Sequence, residues 1–520
     1  MLITEMLRHH GANDAETVAL VERDAQNHSR RELTWDAFDA MADQVAVALM
    51  AAGIRKGDRA AILMTNSLEW LPIYFGILRA GIWAVPLNFR FDAGTIKRCI
   101  ETVSARALFF GSEFVERIAA EKAALDRSVV RYIFMGSGAQ KPDYATAFDR
   151  FVSSTGSARP AAALKRQDIA AVYFTSGTTG HPKGVVLTHQ NLAFAGQVER
   201  EHHQQSRGDI FLCIPPLYHT GAKMHWFGSL AAGGTAVLLK GVRPHSILQA
   251  VSEERATIAW LLVPWAHDIL TAVESGEIRL DDYRLDQWRL MHIGAQPVAP
   301  SLIRRWRKVF PNQAYDTNYG LTEATGPGCV HLGCENLHKV GAIGVPGHEW
   351  RCRIVDDNQR DVPDGTAGEL AVMGAGVMQG YYGDPQATAA VMMDGWLLTG
   401  DIARKDEDGF IWLVDRKKDV IISGGENIFP VEIENFILEH ARVQDAAVIG
   451  VPDMRLGEIV AAVVQPKPGR ELTEEEMVAF CAALPRYKRP RRIFFNDIPR
   501  NPTGKIQKPL LRKWMATTLN

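Results

Sequence analysis

An apolar run from Ala170 to Phe174 leads into Thr175-Ser176-Gly177-Thr178-Thr179-Gly180-His181-Pro182-Lys183-Gly184. Glycines let backbone N–H groups converge on an anion, hydroxyls add donors, and the lysine adds a point charge. This is chemistry for a polyphosphate, although the spacing is not that of a Walker A loop. Further along, Asn318-Tyr319-Gly320-Leu321-Thr322-Glu323 combines an aromatic face suited to a base with a hydroxyl for phosphate. Its carboxylate is a hard oxygen ligand suited to Mg2+. Thr399-Gly400-Asp401, followed by Arg416, offers a carboxylate able to accept both hydroxyls of a ribose. Two more segments stand near the end of the chain: Ile422-Ser-Gly424-Gly425-Glu426-Asn-Ile, and Pro499-Arg-Asn-Pro-Thr-Gly-Lys505. Taken singly, the last four are also ordinary turn or loop chemistry.

The elements that must hold these residues read as α/β. Thr34 is placed to cap a helix whose face carries Phe38, Met41, Ala42, Val45 and Leu49. Gly53 ends it, a strand follows over 60–64, a helix over 67–80 and a strand over 82–85. Strands are expected over 210–214, 235–239 and 258–263, and helices over 244–254 and 300–309. Alternation at this spacing predicts parallel strands covered by helices. Near residue 340 the texture changes to short segments broken by Gly, Asp and Pro, which predicts antiparallel β structure. The charged segment 415–419 marks the expected domain boundary, giving units 1–415 and 416–520. In the second unit a helix is expected over 431–440, with strands over 446–450 and 459–465.

Composition narrows the function class. The chain has 520 residues, a net charge of −2 and 47% apolar residues, ordinary for a globular protein of several domains or subdomains. That balance supplies no basic field for nucleic acid. Six cysteines without CxxC pairs argue against a disulfide scaffold or a structural zinc site and fit a reducing cytosol. Cys329 and Cys334, closest in sequence, read as two buried thiols. The N-terminal residues lack the apolar core of a signal peptide, and the longest apolar run, 228–239, is shorter than the ~20 residues of a membrane-spanning helix. A cytoplasmic protein is expected, with a homodimer left open.

The motif set, in this order, resembles the adenylate-forming superfamily: acyl-CoA synthetases, adenylation domains of non-ribosomal peptide synthetases, and beetle luciferases. The resemblance runs from Leu33-Thr-Trp to Lys505 and includes Pro215-Pro-Leu-Tyr-His219, Gly341-Ala-Ile-Gly-Val-Pro-Gly347, Gly368-Glu-Leu370 and Gly380-Tyr-Tyr382. It implies a large N-terminal domain of packed α/β sheets with a small β-barrel-like subdomain, and a small mobile α+β C-terminal domain. It also implies an AMP-forming acyl-CoA synthetase using ATP, Mg2+ and CoA.

By resemblance, Thr175, Ser176, Gly177, Thr178, Thr179, Gly180 and Lys183 hold phosphates, and Glu323 anchors Mg2+. Asn318, Tyr319, Gly320 and Thr322 belong to the nucleotide site, with Gly294-Ala295-Gln296-Pro297 on the other side of the adenine. Asp401 and Arg416 hold the ribose, and Lys505 bridges the acyl carboxylate and the α-phosphate. Lys418 is the implied hinge, and Gly424, Gly425 and Glu426 enter the pantetheine tunnel after rotation. Tyr218, His219, Met224, Trp226, Gly294 and Gly326 are implied to line the acyl pocket, His219 gating the thiol or orienting the carboxylate.

The stretch 218–226 lacks the Asp that amino-acid-activating relatives carry, so an alkyl, alicyclic or aryl acid is expected. With no carrier domain attached, CoA is the favoured acceptor; the alternative is transfer to a carrier-protein phosphopantetheine thiol. Lys223 and His225 depart from the apolar residues common in that stretch. They either point outward or pair locally, or one meets a second polar group on the acid.

Overall fold

The computed structural model describes residues 1–153, 162–175, 182–294, 298–331, 333–500 and 506–518. Two sheets dominate the N-terminal part. The eight-stranded sheet runs in the order Gly380–Tyr381, Lys183–Thr188, Ile169–Thr175, Trp83–Pro86, Arg59–Leu63, Ala107–Gly111, Arg131–Met135, Thr146–Ala147. The seven-stranded sheet runs Ala314–Asp316, Leu290–Gly294, Ile258–Leu262, Ile210–Cys213, Thr235–Lys240, Val18–Asp24, Ser29–Thr34. Most pairings are parallel, as the strand–helix alternation predicts. The exceptions are two hairpins, Val18–Asp24 with Ser29–Thr34 and Ile169–Thr175 with Lys183–Thr188, where loops too short for a crossover force antiparallel pairing, and the edge strand Gly380–Tyr381, which runs antiparallel to Lys183–Thr188.

Side-chain alternation along the strands explains the layering. In Arg59–Leu63, Ala60 and Ile62 enter the largest apolar cluster, whereas Ala61 and Leu63 enter another. In Ile210–Cys213, Phe211 and Cys213 join that same large cluster, and Leu212 faces a third. The large cluster therefore lies between the two sheets, and helices fill it. Helix Trp70–Arg79 is buried at every position, as a helix covered on all sides must be. Helices Trp35–Ala51, His189–His203 and Thr220–Ala232 share this middle layer. Outer helices, among them Ala93–Val103 on one sheet and Pro300–Val309 on the other, cover the remaining faces. Thr34 caps its helix as expected, its hydroxyl accepting from the Ala37 N–H at 3.3 Å.

From Arg351 the chain builds an antiparallel five-stranded sheet in which Trp396–Lys405 pairs with Gly368–Met373, Met392–Met393 and Ile411–Arg416. The C-terminal part has its own five-stranded sheet centred on Val443–Asp453 and Gly457–Pro466. Its two faces carry separate apolar clusters, with Ala446 and Val448 on one and Ala447 and Ile449 on the other. Cys329 lies 3.6 Å from the Cys352 sulfur, a pairing its sequence neighbours did not suggest. Among the described residues no helix is long and apolar enough to cross a membrane.

Candidate active site

The phosphate-type segment connects the paired strands Ile169–Thr175 and Lys183–Thr188, in which Thr175 stands opposite Lys183. Ser176, Gly177, Thr178, Thr179 and Gly180 lie outside the described residues, as do Ala295, Gln296, Pro297 and Lys505. The edge strand Gly380–Tyr381 pairs with Lys183–Thr188, which sets the Tyr381 ring 5.0 Å from Lys183 Nζ. The Tyr381 hydroxyl donates to Glu323 Oε1 at 3.0 Å. Glu323 and Tyr381 then line a cavity of about 400 Å3 with Leu321, Thr399, Gly400 and Lys417. A half-buried carboxylate among hydroxyls, with a cation nearby, is a donor set that fits Mg2+ and phosphate. Tyr381 was quoted in the sequence only as part of a motif. Its contacts with Lys183 and Glu323 follow from the sheet pairing, which the sequence does not show.

The nucleoside residues converge from distant segments. Asp401 pairs with Arg416 across two antiparallel strands, and Arg416 Nε lies 3.0 Å from Asp401 Oδ1. The buried Tyr319 hydroxyl donates to Asp401 Oδ2 at 2.5 Å. Burial, with the Asp401 charge beside it, holds the Tyr319 hydroxyl well above the usual phenol range. The rigid set is a buried aromatic ring, a carboxylate and a guanidinium, the chemistry of a base and a ribose.

The segment Pro215 to His219 is fastened to the other sheet through Asn66. Its side chain donates to Pro215 O at 3.0 Å and accepts from the Leu217 N–H at 2.7 Å. His219 then caps helix Thr220–Ala232, its Nδ1 accepting from the Gly221 N–H at 3.2 Å, so the neutral ring carries its proton on Nε2. The neighbouring Thr220 hydroxyl donates to Thr322 Oγ1 at 3.3 Å, which joins the His219 loop to the Tyr319–Glu323 segment. Tyr218 is buried against Phe89, and burial pushes its hydroxyl up to about 12. Met224 and Gly326 touch: a Cβ on Gly326 would lie 3.0 Å from Met224 Sδ.

One expectation is overturned here, that for Trp226, and the alternatives for Lys223 are decided in favour of local pairing. Trp226 does not line a pocket; its ring packs edge-to-face on Phe75 at 5.5 Å and tilted against Phe38 at 5.9 Å, inside the middle helical layer. Lys223 does not point outward, because its helix is surrounded. Its Nζ donates to Leu217 O at 2.5 Å and sits 4.3 Å from the Tyr173 ring and 4.8 Å from the Trp70 ring. Burial drives its ammonium well below the usual lysine range. His225 instead meets a buried group absent from the sequence reading: Glu199, His203 and His292. The signal available for it was a histidine inside an otherwise apolar strand, Leu290–Gly294.

Gly424 and Gly425 form the two-residue turn between Ile421–Ser423 and Glu426–Ile428, with φ of 60° and 88°. Both central residues of such a turn need positive φ, which is why glycine stands at each. Lys418 lies exposed in the short turn Lys417–Asp419 that leads into this part of the chain.

The AMP-binding enzyme family matches residues 7–382, and the AMP-binding enzyme C-terminal domain matches residues 432–505. A feruloyl-CoA synthase of Amycolatopsis sp. is 34% identical over 493 residues, covering 94% of this chain and 95% of the relative. A long-chain-fatty-acid–CoA ligase of Mycobacterium tuberculosis is 32% identical over 496 residues, covering 94% of each. Among solved structures, ATP-bound MatB from Rhodopseudomonas palustris superposes with a TM-score of 0.87 at 27% identity, covering 99% of both chains. The chain therefore belongs to the adenylate-forming AMP-binding enzymes, as an acid–CoA ligase that uses ATP, Mg2+ and CoA.

Proposed function

We propose that the enzyme activates a medium- or long-chain, alicyclic or aromatic carboxylic acid as its acyl-adenylate and passes the acyl group to CoA. The observation that supports this most directly is the meeting of two half-sites. Tyr319, Asp401 and Arg416 form one, Lys183, Tyr381 and Glu323 the other, and Thr322 ties both to the His219 loop. Relatives named for a feruloyl and a long-chain fatty acid are consistent with an apolar acid and leave its class open.

The physical problem is to join two anions. A carboxylate oxygen attacks the α-phosphorus, the bond to the β-phosphate oxygen breaks, and pyrophosphate leaves with growing negative charge. Catalysis is then positioning and charge stabilisation. Thr175 to Lys183 hold the β- and γ-phosphates, Tyr319 lies against the adenine, and Asp401 with Arg416 fixes the ribose. Lys505 bridges the two reacting anions. Glu323 would hold Mg2+, which neutralises phosphate charge. In the second step the CoA thiol, giving up its proton to solvent, attacks the acyl carbonyl, the bond from the acyl carbon to the phosphate oxygen breaks, and AMP leaves. His219, with its proton on Nε2, borders that path. The unit 416–520 turns about Lys418 between the steps, withdrawing Lys505 and bringing Gly424, Gly425 and Glu426 to the tunnel.

The test is pyrophosphate release with ATP and Mg2+ over a panel from acetate to palmitate, benzoate, cyclohexanecarboxylate and a hydroxycinnamate, with and without CoA. Release that requires an acid, thioester formation that requires CoA, and loss of adenylation by roughly 100-fold or more in Lys505→Ala are expected. Release without any acid, or thioester formed only on a carrier protein, would overturn the reading.

A further inference from the structure

Helix His189–His203, helix Thr220–Ala232 and strand Leu290–Gly294 bring His203, His225 and His292 together, each at most 2% exposed. Their hydrogen bonds run in one direction. His225 Nδ1 lies 2.7 Å from the Gly221 carbonyl and must donate, which leaves its Nε2 an acceptor. His292 Nε2 donates to that nitrogen at 3.0 Å. His292 Nδ1 then accepts from His203 Nε2 at 3.0 Å, and His203 Nδ1 accepts from the Gln205 amide at 3.2 Å. All three rings are satisfied in their neutral forms, and burial keeps all three below the usual histidine range, His225 at about 3. The pairing is nitrogen to nitrogen, and His292 is engaged through both ring nitrogens. A metal would need its three lone pairs aimed at one point.

One side of this network faces the proposed acyl site. The indole of Trp260 stacks on His225, ring centres 4.2 Å apart and 17° from parallel. A Cβ on Gly221 would meet one end of that indole, Cη2, at 3.2 Å and His219 Nδ1 at 3.3 Å. A Cβ on Gly294 would meet the other end, Nε1, at 3.8 Å and His292 Nε2 at 3.7 Å. Glycine at both positions lets the backbone lie close against both ends of the indole, one end beside His219 and the other beside His292. Trp260 is only 4% exposed, yet among the described residues its Nε1–H has no partner. A buried donor left unmade is costly, and a ligand that supplies its acceptor recovers that cost.

We infer that the acid activated by this enzyme carries a hydrogen-bond-accepting oxygen remote from its carboxylate, an oxo, hydroxyl or ether group, which seats on Trp260 Nε1–H beside His292. The neutral imidazoles behind it keep the floor polar without placing a charge there. This rests on the proposed reading that the acyl group lies between His219 and Gly294. An apolar pocket distinguishes acids by shape; a pocket built to hydrogen-bond an oxygen also rejects the analogue that lacks it.

The test uses the full-length enzyme and matched acids: cinnamate with para-hydroxycinnamate, cyclohexanecarboxylate with its para-oxo derivative, and octanoate with a keto derivative near the methyl end. The readout is the ratio of kcat/KM within each pair, from acid-dependent pyrophosphate release. At least one oxygenated acid is expected to win by about 10-fold or more. Trp260→Phe, which keeps a ring and removes the N–H, should bring that ratio close to one. His292→Gln should lower it as well, with ATP binding checking that each variant is folded. Acid-dependent release with no preference for oxygen in any pair would overturn the inference and leave the ligase reading intact, as would a ratio unchanged in folded Trp260→Phe. Stoichiometric zinc in the purified enzyme, lost in His292→Gln, would also overturn it. No release with any acid would overturn both readings.

Discussion

Glu199 shows how burial decides the state of a single residue. It is fully buried, its Oε1 accepts from the Asn318 amide at 3.0 Å, and among the described residues its Oε2 has no hydrogen-bond partner. Desolvation raises its carboxyl to about 8, so at neutral pH it is a carboxylic acid. The folded value lies above the ordinary carboxyl value of 4.5. The stability it contributes is therefore fully present below pH 4.5 and is lost as pH rises from there to about 8. Glu199→Gln copies the neutral form. Thermal unfolding of the variant should match wild type near pH 4.5, and the variant should become relatively more stable towards pH 8 and above. A constant difference across that range would contradict the assignment. Tyr319, Asp401, Arg416 and Glu323 can each be singled out in the sequence, from residue type and a short motif, as candidates for the proposed nucleotide site. Glu199 and His292 carry no motif, and their importance arises from being buried together.

At the scale of elements, short connections hold the chemistry in place. The segment Pro215 to His219 has no regular structure and depends on Asn66, which answers one carbonyl and one N–H of that loop. Asn66→Ala leaves both without this partner, at a cost of roughly 1–3 kcal/mol. The expected result is a lower unfolding temperature and a reduced kcat, with KM for ATP unchanged because the Tyr319–Asp401–Arg416 set is held elsewhere. A raised KM for ATP with normal kcat would show that the loop serves the nucleotide instead. The helices and strands themselves followed from periodicity: the helix Pro300–Val309 falls where the sequence puts it, and other ends differ by a few residues. Partner choice was harder to read. The hairpin that presents the phosphate loop looks, in sequence, like any other strand pair in an α/β run, and only the shortness of its connection makes it antiparallel.

At the scale of the whole molecule, the C-terminal part has its own sheet and two apolar faces, and meets the rest near the turn Lys417–Asp419. If Lys418 is the pivot, Lys418→Pro should restrict rotation by fixing φ. Acyl-adenylate should then accumulate in a single turnover while thioester formation falls, as chromatography of the two products would measure. Equal loss of both steps would place the pivot elsewhere. The linear order of motifs was enough to determine the reaction class, since phosphate, ribose and metal chemistry each need a small local set of residue types. Tertiary structure decided what lies around the proposed acyl site. Tyr319 and Asp401 are 82 residues apart, and His225 and His292 are 67 apart; no local pattern relates them. The same packing put Trp226 into the core, closed aromatic rings around Lys223 and left the Trp260 N–H without a partner among the described residues. Protonation, tautomer and the polarity of a pocket follow from desolvation and from which distant groups meet, and those exist only once the sheets and helices have packed.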